Sequence, residues 1–271
     1  MIEIQRKGFS IHIYEDSRPH YYKSIGIQKG LILVYNNQEV SDEGIGFGAP
    51  VVKYADKTYF AREASLSSQK INEDLVITKK FHIDSVFRVR LFGKSIKLPL
   101  LDRFTKFVSK IHRNHKKSRI LLDPIFAIVR KIMVRPSDLV YSSSKGNILI
   151  SYRMDKEFIN IHVDTSELDK VGCEEICIMN EQGADFFRKY SDSDGSLLTD
   201  DKIPSWKMVS AEKARFADID DKISFELVRL PETKLYLGRE KFKGHLAWTG
   251  FAYCISSEVN EFEYNIRLEY K

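Results

Sequence analysis

Two tryptophans and two basic residues are the side chains of this sequence best suited to hold a polar ligand. The tryptophans are Trp206 and Trp248, and Arg239 and His245 lie close to Trp248 in the sequence. An aromatic ring face packs well against the apolar C–H surface of a sugar ring, while charged groups bond to hydroxyls. We therefore predict a ligand-binding site formed by Trp206, Trp248, Arg239 and His245, with core packing as the alternative for each tryptophan.

A histidine and a glutamate that face each other across a cleft can serve as general acid and general base. Our candidates for these catalytic roles are His82 and Glu240. A surface ion pair or a satisfied polar group is the alternative for each residue. The sequence contains neither a G-x-S-x-G nucleophile elbow nor an H-E-x-x-H zinc motif, so no particular reaction is indicated.

Two segments match ligand-binding loops only in part. Residues 43–50 place three glycines at alternate positions, but Pro50 and a predicted strand follow, whereas a phosphate-binding loop needs a helix there. Residues 191–201 match a calcium loop around Gly195, but the first ligand position falls on Tyr190. We expect backbone bends in the first segment and an Asp-Gly turn in the second, and we predict no metal and no cofactor.

The three cysteines are Cys173, Cys177 and Cys254, which are too few for a disulfide framework. The spacing of Cys173 and Cys177 is not that of a C-x-x-C site. We expect three buried free thiols, as in a protein of a reducing compartment. Because the start of the chain has no apolar signal core and no run of 18 apolar residues exists, we predict a cytoplasmic protein, peripheral to a membrane if it binds lipid.

Most of the chain has the alternating pattern of β-strands. The last segment alternates Phe262, Tyr264, Ile266 and Leu268 with charged partners, a period of two residues. Similar segments occur throughout residues 1–100 and 137–271, and residues 182–190 are predicted to form a short helix or an extended bend. The chain is therefore predicted to be β-structure on both sides of its middle.

The middle of the chain, residues 103–135, differs in both pattern and charge. Phe104, Phe107 and Ile111 have helical spacing, and Pro124 begins a second predicted helix. The segment holds ten Lys/Arg and one acid, whereas the rest of the chain has 33 basic and 37 acidic residues. We name as anion-binding or membrane-binding residues Lys106, Lys110, Arg113, Lys116, Lys117 and Arg119.

Three uses of this basic segment remain open. It can brace the sheet with its charges solvated, bind an anionic membrane surface or an acidic partner, or bind nucleic acid. Nucleic acid is the least favoured of the three, because single strands also need exposed aromatic rings and the two phenylalanines belong to the apolar stripe.

The glycine-rich residues 43–50, the Trp248-Thr249-Gly250 sequence and the alternating final strand together resemble the galactose-mutarotase-like supersandwich proteins. The resemblance is one of architecture over roughly residues 1–100 and 137–271. It implies a large double-sheet sandwich that acts on or binds carbohydrates. No specific motif carries it, so no active site of that family is transferred to this chain.

We therefore predict a mainly β fold, a large antiparallel β-sandwich of the supersandwich kind with a central basic helical insertion. A lipocalin-like double barrel is the alternative. The expected parts are residues 1–100, 101–136 and 137–271, within one composite domain. The predicted function is to bind or process a carbohydrate-like polar ligand, and catalysis is left open. The alternative is a non-enzymatic scaffold whose basic helical hairpin binds an anionic membrane surface or an acidic partner.

Overall fold

The structure is a computed structural model of the chain. It describes residues 1–17, 26–36, 38–40, 44–55, 57–71, 74–91, 94–95, 135–155, 157–231, 233–242 and 246–271. The predicted helical pair lies outside the described residues except at Arg135, which belongs to a strand. His245 and all six basic residues named for anion binding also lie outside them.

The described chain is mainly β. The first four strands are β1 (Ile2–Arg6), β2 (Phe9–Ile13), β3 (Ile32–Tyr35) and β4 (Gln38–Glu39). The next eight are β5 (Gly46–Tyr54), β6 (Thr58–Ile71), β7 (Asp74–Leu91), β8 (Lys94–Ser95), β9 (Arg135–Tyr141), β10 (Asn147–Met154), β11 (Phe158–Asp164) and β12 (Cys173–Gly183). The last eight are β13 (Phe187–Asp192), β14 (Leu197–Thr199), β15 (Lys207–Met208), β16 (Lys213–Asp218), β17 (Ile223–Val228), β18 (Lys234–Phe242), β19 (Leu246–Ile255) and β20 (Glu261–Tyr270). A 3-10 turn, Asp200–Lys202, lies between β14 and β15.

These strands form two antiparallel sheets. The small sheet has the order β1-β2-β3-β4. The large sheet has the order β14-β13-β16-β17-β20-β11-β10-β7-β6-β5-β12-β19-β18-β15, and β8 and β9 pair with β7. Among the described strands the path has two ends, β14 and β15, so the large sheet does not fit the lipocalin-like alternative.

Side chains from distant strands of the large sheet meet in one core. The ring of Phe225 on β17 lies 5.1 Å from that of Phe47 on β5, and 5.8 Å from that of Phe251 on β19. The Tyr264 hydroxyl on β20 donates to Asn180 Oδ1 on β12 at 2.8 Å. Because these strands are far apart in the sheet order, the sheet must fold back on itself with these aromatic residues between its halves, which is compatible with a sandwich.

The alternation of apolar residues explains why individual strands lie where they do. On β11, Ile159, Ile161 and Val163 are at most 1% exposed, while the residues between them are only half-buried. This is the period of two that places alternate side chains on opposite faces of a strand. Residues 182–190 form the end of β12, a turn at residues 184–186 and the start of β13, so the helix alternative for that segment is wrong.

The glycines within residues 43–50 allow the backbone to bend, as predicted. Gly46 and Gly48 have φ angles of 77° and 73°, which other residues rarely adopt. Between them, Phe47 exchanges backbone hydrogen bonds with Leu31. The expectation of backbone bends is confirmed for this segment, within the described residues 44–50.

A lysine is buried in the core near the N-terminal segment. Lys79 on β7 is fully buried, and its ammonium donates to the backbone oxygens of Tyr14 and Lys29 at 2.7 and 2.8 Å. It also reaches Gln28 Oε1 at 3.2 Å and Ser17 Oγ at 3.3 Å. Burial lowers the pKa of Lys79 to about 7, although the carboxylates of Asp16 and Glu15 raise it. Lys79 therefore fastens the segments on either side of residues 18–25 to the large sheet.

Cys177 on β12 and Cys254 on β19 are joined as a disulfide, and Cys173 is a buried free thiol. The prediction of free thiols is thus wrong for the first two and confirmed for the third. The two bonded residues are 77 positions apart in the sequence but directly opposite each other in the sheet register.

The described chain divides into two compact units. One comprises Met1–Val86 and Tyr141–Lys271, and the other comprises Phe87–Val140. In the second unit the structure describes the end of β7 with β8, and most of β9. In the part of the chain that the structure describes, no helix is long and apolar enough to cross a membrane.

Candidate functional site

The two tryptophans that the sequence singled out lie against each other. Trp248 is on β19, and Trp206 is in the segment just before β15. Their ring centroids are 4.6 Å apart and the ring planes are inclined by 29°, so the indoles are stacked. Trp248 is only 5% exposed, whereas Trp206 is 37% exposed. The buried Trp248 therefore supports the indole of Trp206, the outer indole of the pair, which solvent reaches.

A glycine on β18 makes room for this stack. A Cβ atom at Gly238 would lie 2.8 Å from Cη2 of Trp248 and 3.1 Å from Cδ2 of Trp206. Both indoles consequently rest close to the bare backbone of β18, which glycine alone permits at this position.

The backbone of Trp206 adopts a conformation that is rare for its residue type. Its φ angle is 48°, in the left-handed region. A bulky residue held there costs about 1–3 kcal/mol, so the surrounding contacts must impose it. Those contacts include the stack on Trp248, the pairing of β15 with β18, and bonds from two adjacent residues of β18 whose side chains lie on opposite faces of the strand.

Glu240 holds the segment on the tryptophan face. In the register of β18 and β19 it lies directly opposite Trp248, so both side chains are on one face. The hydroxyl of Ser205 donates to Glu240 Oε1 at 2.6 Å. Glu240 is half-buried, which leaves its carboxylate beside the outer indole and within reach of a ligand.

Arg239 holds the segment from the other face. Its backbone N–H donates to the Pro204 oxygen at 3.1 Å, and its guanidinium donates to Ala184 O at 3.1 Å and Asp200 Oδ1 at 3.3 Å. Burial lowers the pKa of Arg239, while the nearby aspartates, Asp200 first, raise it. The structure thus does not bring Arg239 together with the tryptophans, and gives it the position of an anchor for the 3-10 turn.

A buried glutamate lies on the tryptophan face of the same three strands. Glu181 on β12 is opposite Gly250 on β19, which is opposite Gly238 on β18. Glu181 is 5% exposed, and burial raises its pKa to about 8, with a smaller contribution from the charge of Glu240. The backbone N–H of Ile45 donates to its Oε2 at 3.4 Å and opposes this shift. The Glu181 carboxyl therefore holds its proton at neutral pH.

His82 does not join Glu240. It lies on β7, and its Nδ1 lies 2.5 Å from the side-chain oxygen of Asn147 on β10. Glu240, in contrast, accepts from Ser205, so the hydrogen bonds of the two residues go to different partners. The predicted acid–base pair of His82 and Glu240 is thus not joined by these bonds, and His245, the last member of the predicted ligand set, lies outside the described residues.

Glu181 and Ser205 were not predicted from the sequence. Glu181 lies in a strand whose apolar residues predict burial. A glutamate in a buried strand is uncommon, and this signal could have identified it. Ser205 directly precedes Trp206, but no spacing in the sequence relates it to Glu240.

The segment with the partial calcium pattern is a turn, as expected. Gly195 has a φ angle of 85°, and Asp192 Oδ1 accepts from the backbone N–H groups of Asp194 and Ser196. Tyr190, at the first position of the calcium pattern, is 2% exposed and donates from its hydroxyl to Asp192 Oδ2 at 2.9 Å. The Asp-Gly turn between β13 and β14 is confirmed.

A cavity of about 440 Å³ lies elsewhere in the same unit. Its lining residues are Val228, Leu230, Glu263, Tyr264 and Asn265. None of them belongs to the tryptophan face, so the site above is an exposed surface and not part of this cavity.

No protein-family model matches the chain, and no curated protein matches it. Solved structures do match. "Alpha-N-acetylgalactosaminidase NagBb from Bifidobacterium bifidum - GalNAc complex" matches with a TM-score of 0.54 and 7% identity over 100% of this chain and 36% of its own. A galactose mutarotase-like protein from Lactobacillus casei matches with a TM-score of 0.40 and 10% identity over 100% of both chains. A variant of a Glycoside Hydrolase Family 97 enzyme from Pseudoalteromonas sp. strain K8 has a TM-score of 0.43 and 7% identity, over 99% of this chain and 35% of its own.

This chain therefore spans only about a third of the length of the first structure. At such low identity these matches concern fold alone, and the first of them is the one with a TM-score above 0.5 among the three. Carbohydrate-active enzymes and a mutarotase-like protein are among the structures found. The weak resemblance of architecture that the sequence indicated is thus confirmed at that level, and the chain shares its β architecture with proteins of that kind.

Proposed function

We propose that the face of β18 and β19 that carries Trp206 and Trp248 binds a carbohydrate-like polar ligand. The observation that supports this most directly is the outer indole of Trp206, which is 37% exposed, stacked on Trp248 and fixed in a left-handed backbone conformation. A rigid, exposed aromatic face is the surface on which the C–H groups of a sugar ring pack. A strained residue at an exposed position is better explained by binding than by core packing.

Polar groups beside the indole suit hydroxyls. The Glu240 carboxylate is fixed by Ser205 and accepts hydrogen bonds from ligand hydroxyl groups. Glu181 is on the same face two strands away, but it is only 5% exposed and therefore is not part of the surface that the ligand would contact. Whether this face only binds its ligand or also processes it is left open.

The structures of similar fold support a carbohydrate as the ligand to test first. One is an α-N-acetylgalactosaminidase in complex with GalNAc, and others are a mutarotase-like protein and a glycoside hydrolase. These names describe the matched proteins and not this chain. For this chain, the supersandwich architecture and the carbohydrate ligand are our proposals.

Ligand-observed saturation-transfer NMR tests this function without relying on tryptophan emission. Galactose, N-acetylgalactosamine, glucose and their oligosaccharides are presented to the wild-type chain, to Trp206→Ala and to Met208→Ala. Met208 is the matched control, because it is also exposed and lies two residues from Trp206. We expect transfer to at least one sugar with wild type and Met208→Ala, and its loss with Trp206→Ala. Absence of transfer with every sugar, or transfer that survives Trp206→Ala, contradicts the proposal.

The alternative function, a basic hairpin that binds an anionic membrane surface or an acidic partner, stays a prediction from the charge of residues 103–135. The cytoplasmic location, with or without peripheral membrane contact, also stays a prediction. Both concern properties of the chain that the described residues do not address.

A further inference from the structure

A pair of sulfur atoms and a carboxylate converge on the sheet away from the tryptophan stack. Cys177 on β12 lies directly opposite Cys254 on β19, with their Cα atoms 4.2 Å apart. This separation is typical of a non-hydrogen-bonded pair in an antiparallel ladder, the arrangement in which facing side chains are closest. The sheet itself therefore holds the two sulfurs together, whether or not they are bonded.

Glu175 supplies the third group. It precedes Cys177 by two residues on β12, and alternate residues of a strand point to the same face. Glu175 Oε2 lies 3.8 Å from Cys177 Sγ, and the ligand atoms of Glu175, Cys177 and Cys254 all lie within 4.8 Å of one another. Glu175 and Cys177 are half-buried, so solvent and ions reach the group.

The charges around this group are mixed. Lys234 on β18 is opposite Cys254 in the register, and its Nζ lies 3.7 Å from Glu175 Oε1. The Lys234 side chain is 61% exposed, so it can leave Glu175 for water at little cost. Lys53 is paired with Glu174 at 3.0 Å and does not occupy Glu175.

We propose that reduction of the Cys177–Cys254 disulfide creates a site for one soft divalent cation, such as Zn²⁺ or Cd²⁺, held by both thiolates and the Glu175 carboxylate. Thiolates select soft cations, and zinc accepts sulfur together with carboxylate oxygen in a tetrahedral set whose fourth position water can fill. The rigid ladder keeps the two sulfurs close in the reduced state. Binding of the cation therefore avoids most of the loss of conformational entropy that such a site would otherwise require.

Formation of the site requires two steps, reduction of the disulfide and binding of the cation. A phosphine reductant delivers two electrons to the S–S bond, two protons from water complete the two thiols, and the phosphine leaves as its oxide. Binding of the cation to both sulfurs then releases two protons, so the affinity rises with pH over the range in which thiols ionise. The site does not depend on the proposed sugar-binding function.

The test is a titration of the phosphine-reduced, full-length chain with Cd²⁺, in which the ultraviolet thiolate-to-cadmium charge-transfer band reports binding. We expect the band to saturate at one equivalent for wild type and for Cys173→Ser. Cys173 is the matched control, because it is the third cysteine, lies on the same strand and is free. We expect Cys177→Ser and Cys254→Ser to lose the saturating band, and Glu175→Gln to bind more weakly with the band retained. Competition by Zn²⁺ should remove the band.

Oxidised wild type is the arm that needs no substitution, since it keeps the fold and should show no band. If a serine variant fails to fold, the comparison of reduced with oxidised wild type still tests the proposal. The proposal is overturned if reduced wild type shows no saturating band, if the oxidised chain shows the same band, or if Cys173→Ser loses it as completely as Cys177→Ser.

Discussion

The carboxyl group of Glu181 links the stability of the protein to pH. Burial raises its pKa from 4.5 to about 8, so between these values the folded chain keeps a proton that the unfolded chain releases. The contribution of Glu181 is therefore most favourable below pH 4.5 and is lost as the pH rises toward 8, by at most about 1.4 kcal/mol per pH unit. Glu181→Gln should abolish this dependence, because glutamine resembles the protonated acid but cannot ionise.

Urea unfolding at pH 5.5, 7 and 8.5 checks this. The free energy of unfolding of Glu181→Gln, relative to wild type, should rise across the series by roughly 2–4 kcal/mol. Glu258→Gln, at an exposed loop position, is the control and should show a constant difference. A difference for Glu181→Gln that does not change with pH would show that the carboxyl is ionised in the folded chain.

Residues whose roles depend on distant partners were the least predictable from the sequence. Trp206 and Trp248 were predicted as members of one ligand set, and Glu240 was predicted as the partner of His82. The structure stacks the two indoles and places Glu240 opposite Trp248, a pairing that depends on the β18–β19 register. Lys79 gave no sign of burial, since its backbone acceptors, the oxygens of Tyr14 and Lys29, lie 65 and 50 residues earlier in the chain. The Cys177–Cys254 pair was missed for the same reason, because the β12–β19 register that aligns the two residues is invisible in their spacing.

Strand β18 is the element that builds the candidate site. Arg239 and Glu240 hold the Trp206 segment from its two faces, and Gly238 lets both indoles approach its backbone. Gly238→Ala should separate the two rings, since the new Cβ would lie 2.8 Å from Trp248. We expect a loss of about 1–3 kcal/mol of stability, the range for overpacking a close contact, and loss of the near-ultraviolet circular dichroism of the stacked indoles.

A double-mutant cycle separates this effect from a general weakening of the strand. In the Trp206→Ala background, Trp248 has room to move, so Gly238→Ala should cost measurably less than in the wild-type background. Equal costs in the two backgrounds would mean that Gly238 serves the strand and not the indole pair.

Elements with a regular period were predictable, whereas irregular ones were not. The alternation of Phe262, Tyr264, Ile266 and Leu268 predicted a strand, and the structure has β20 there, with Tyr264 and Ile266 buried. Residues 182–190 were ambiguous, since a strand end, a three-residue turn and a new strand give no single period.

The charge of the whole molecule is divided unevenly along the chain. Residues 103–135 carry ten basic residues and one acid, and the remainder has a small acidic excess. A local excess of this size attracts anionic surfaces over a distance set by ionic strength, about 8–10 Å at physiological salt. The segment belongs to the unit Phe87–Val140, while the tryptophan face belongs to the other unit, so the two predicted functions can be tested separately.

Charge reversal tests the membrane prediction. Flotation with vesicles of phosphatidylcholine and phosphatidylserine should recover the wild-type chain at low salt and release it as salt rises, because phosphatidylserine attracts Lys and Arg through a screened potential. Changing Lys110, Arg113, Lys116 and Lys117 to glutamate should abolish recovery. The matched control reverses four exposed lysines of the other unit, namely Lys202, Lys207, Lys213 and Lys222, with the same change in net charge. If the control loses binding equally, net charge alone explains the attraction. If neither variant loses it, the basic segment is not a membrane-binding element, and a structural brace or an acidic partner remains as the account of its charge.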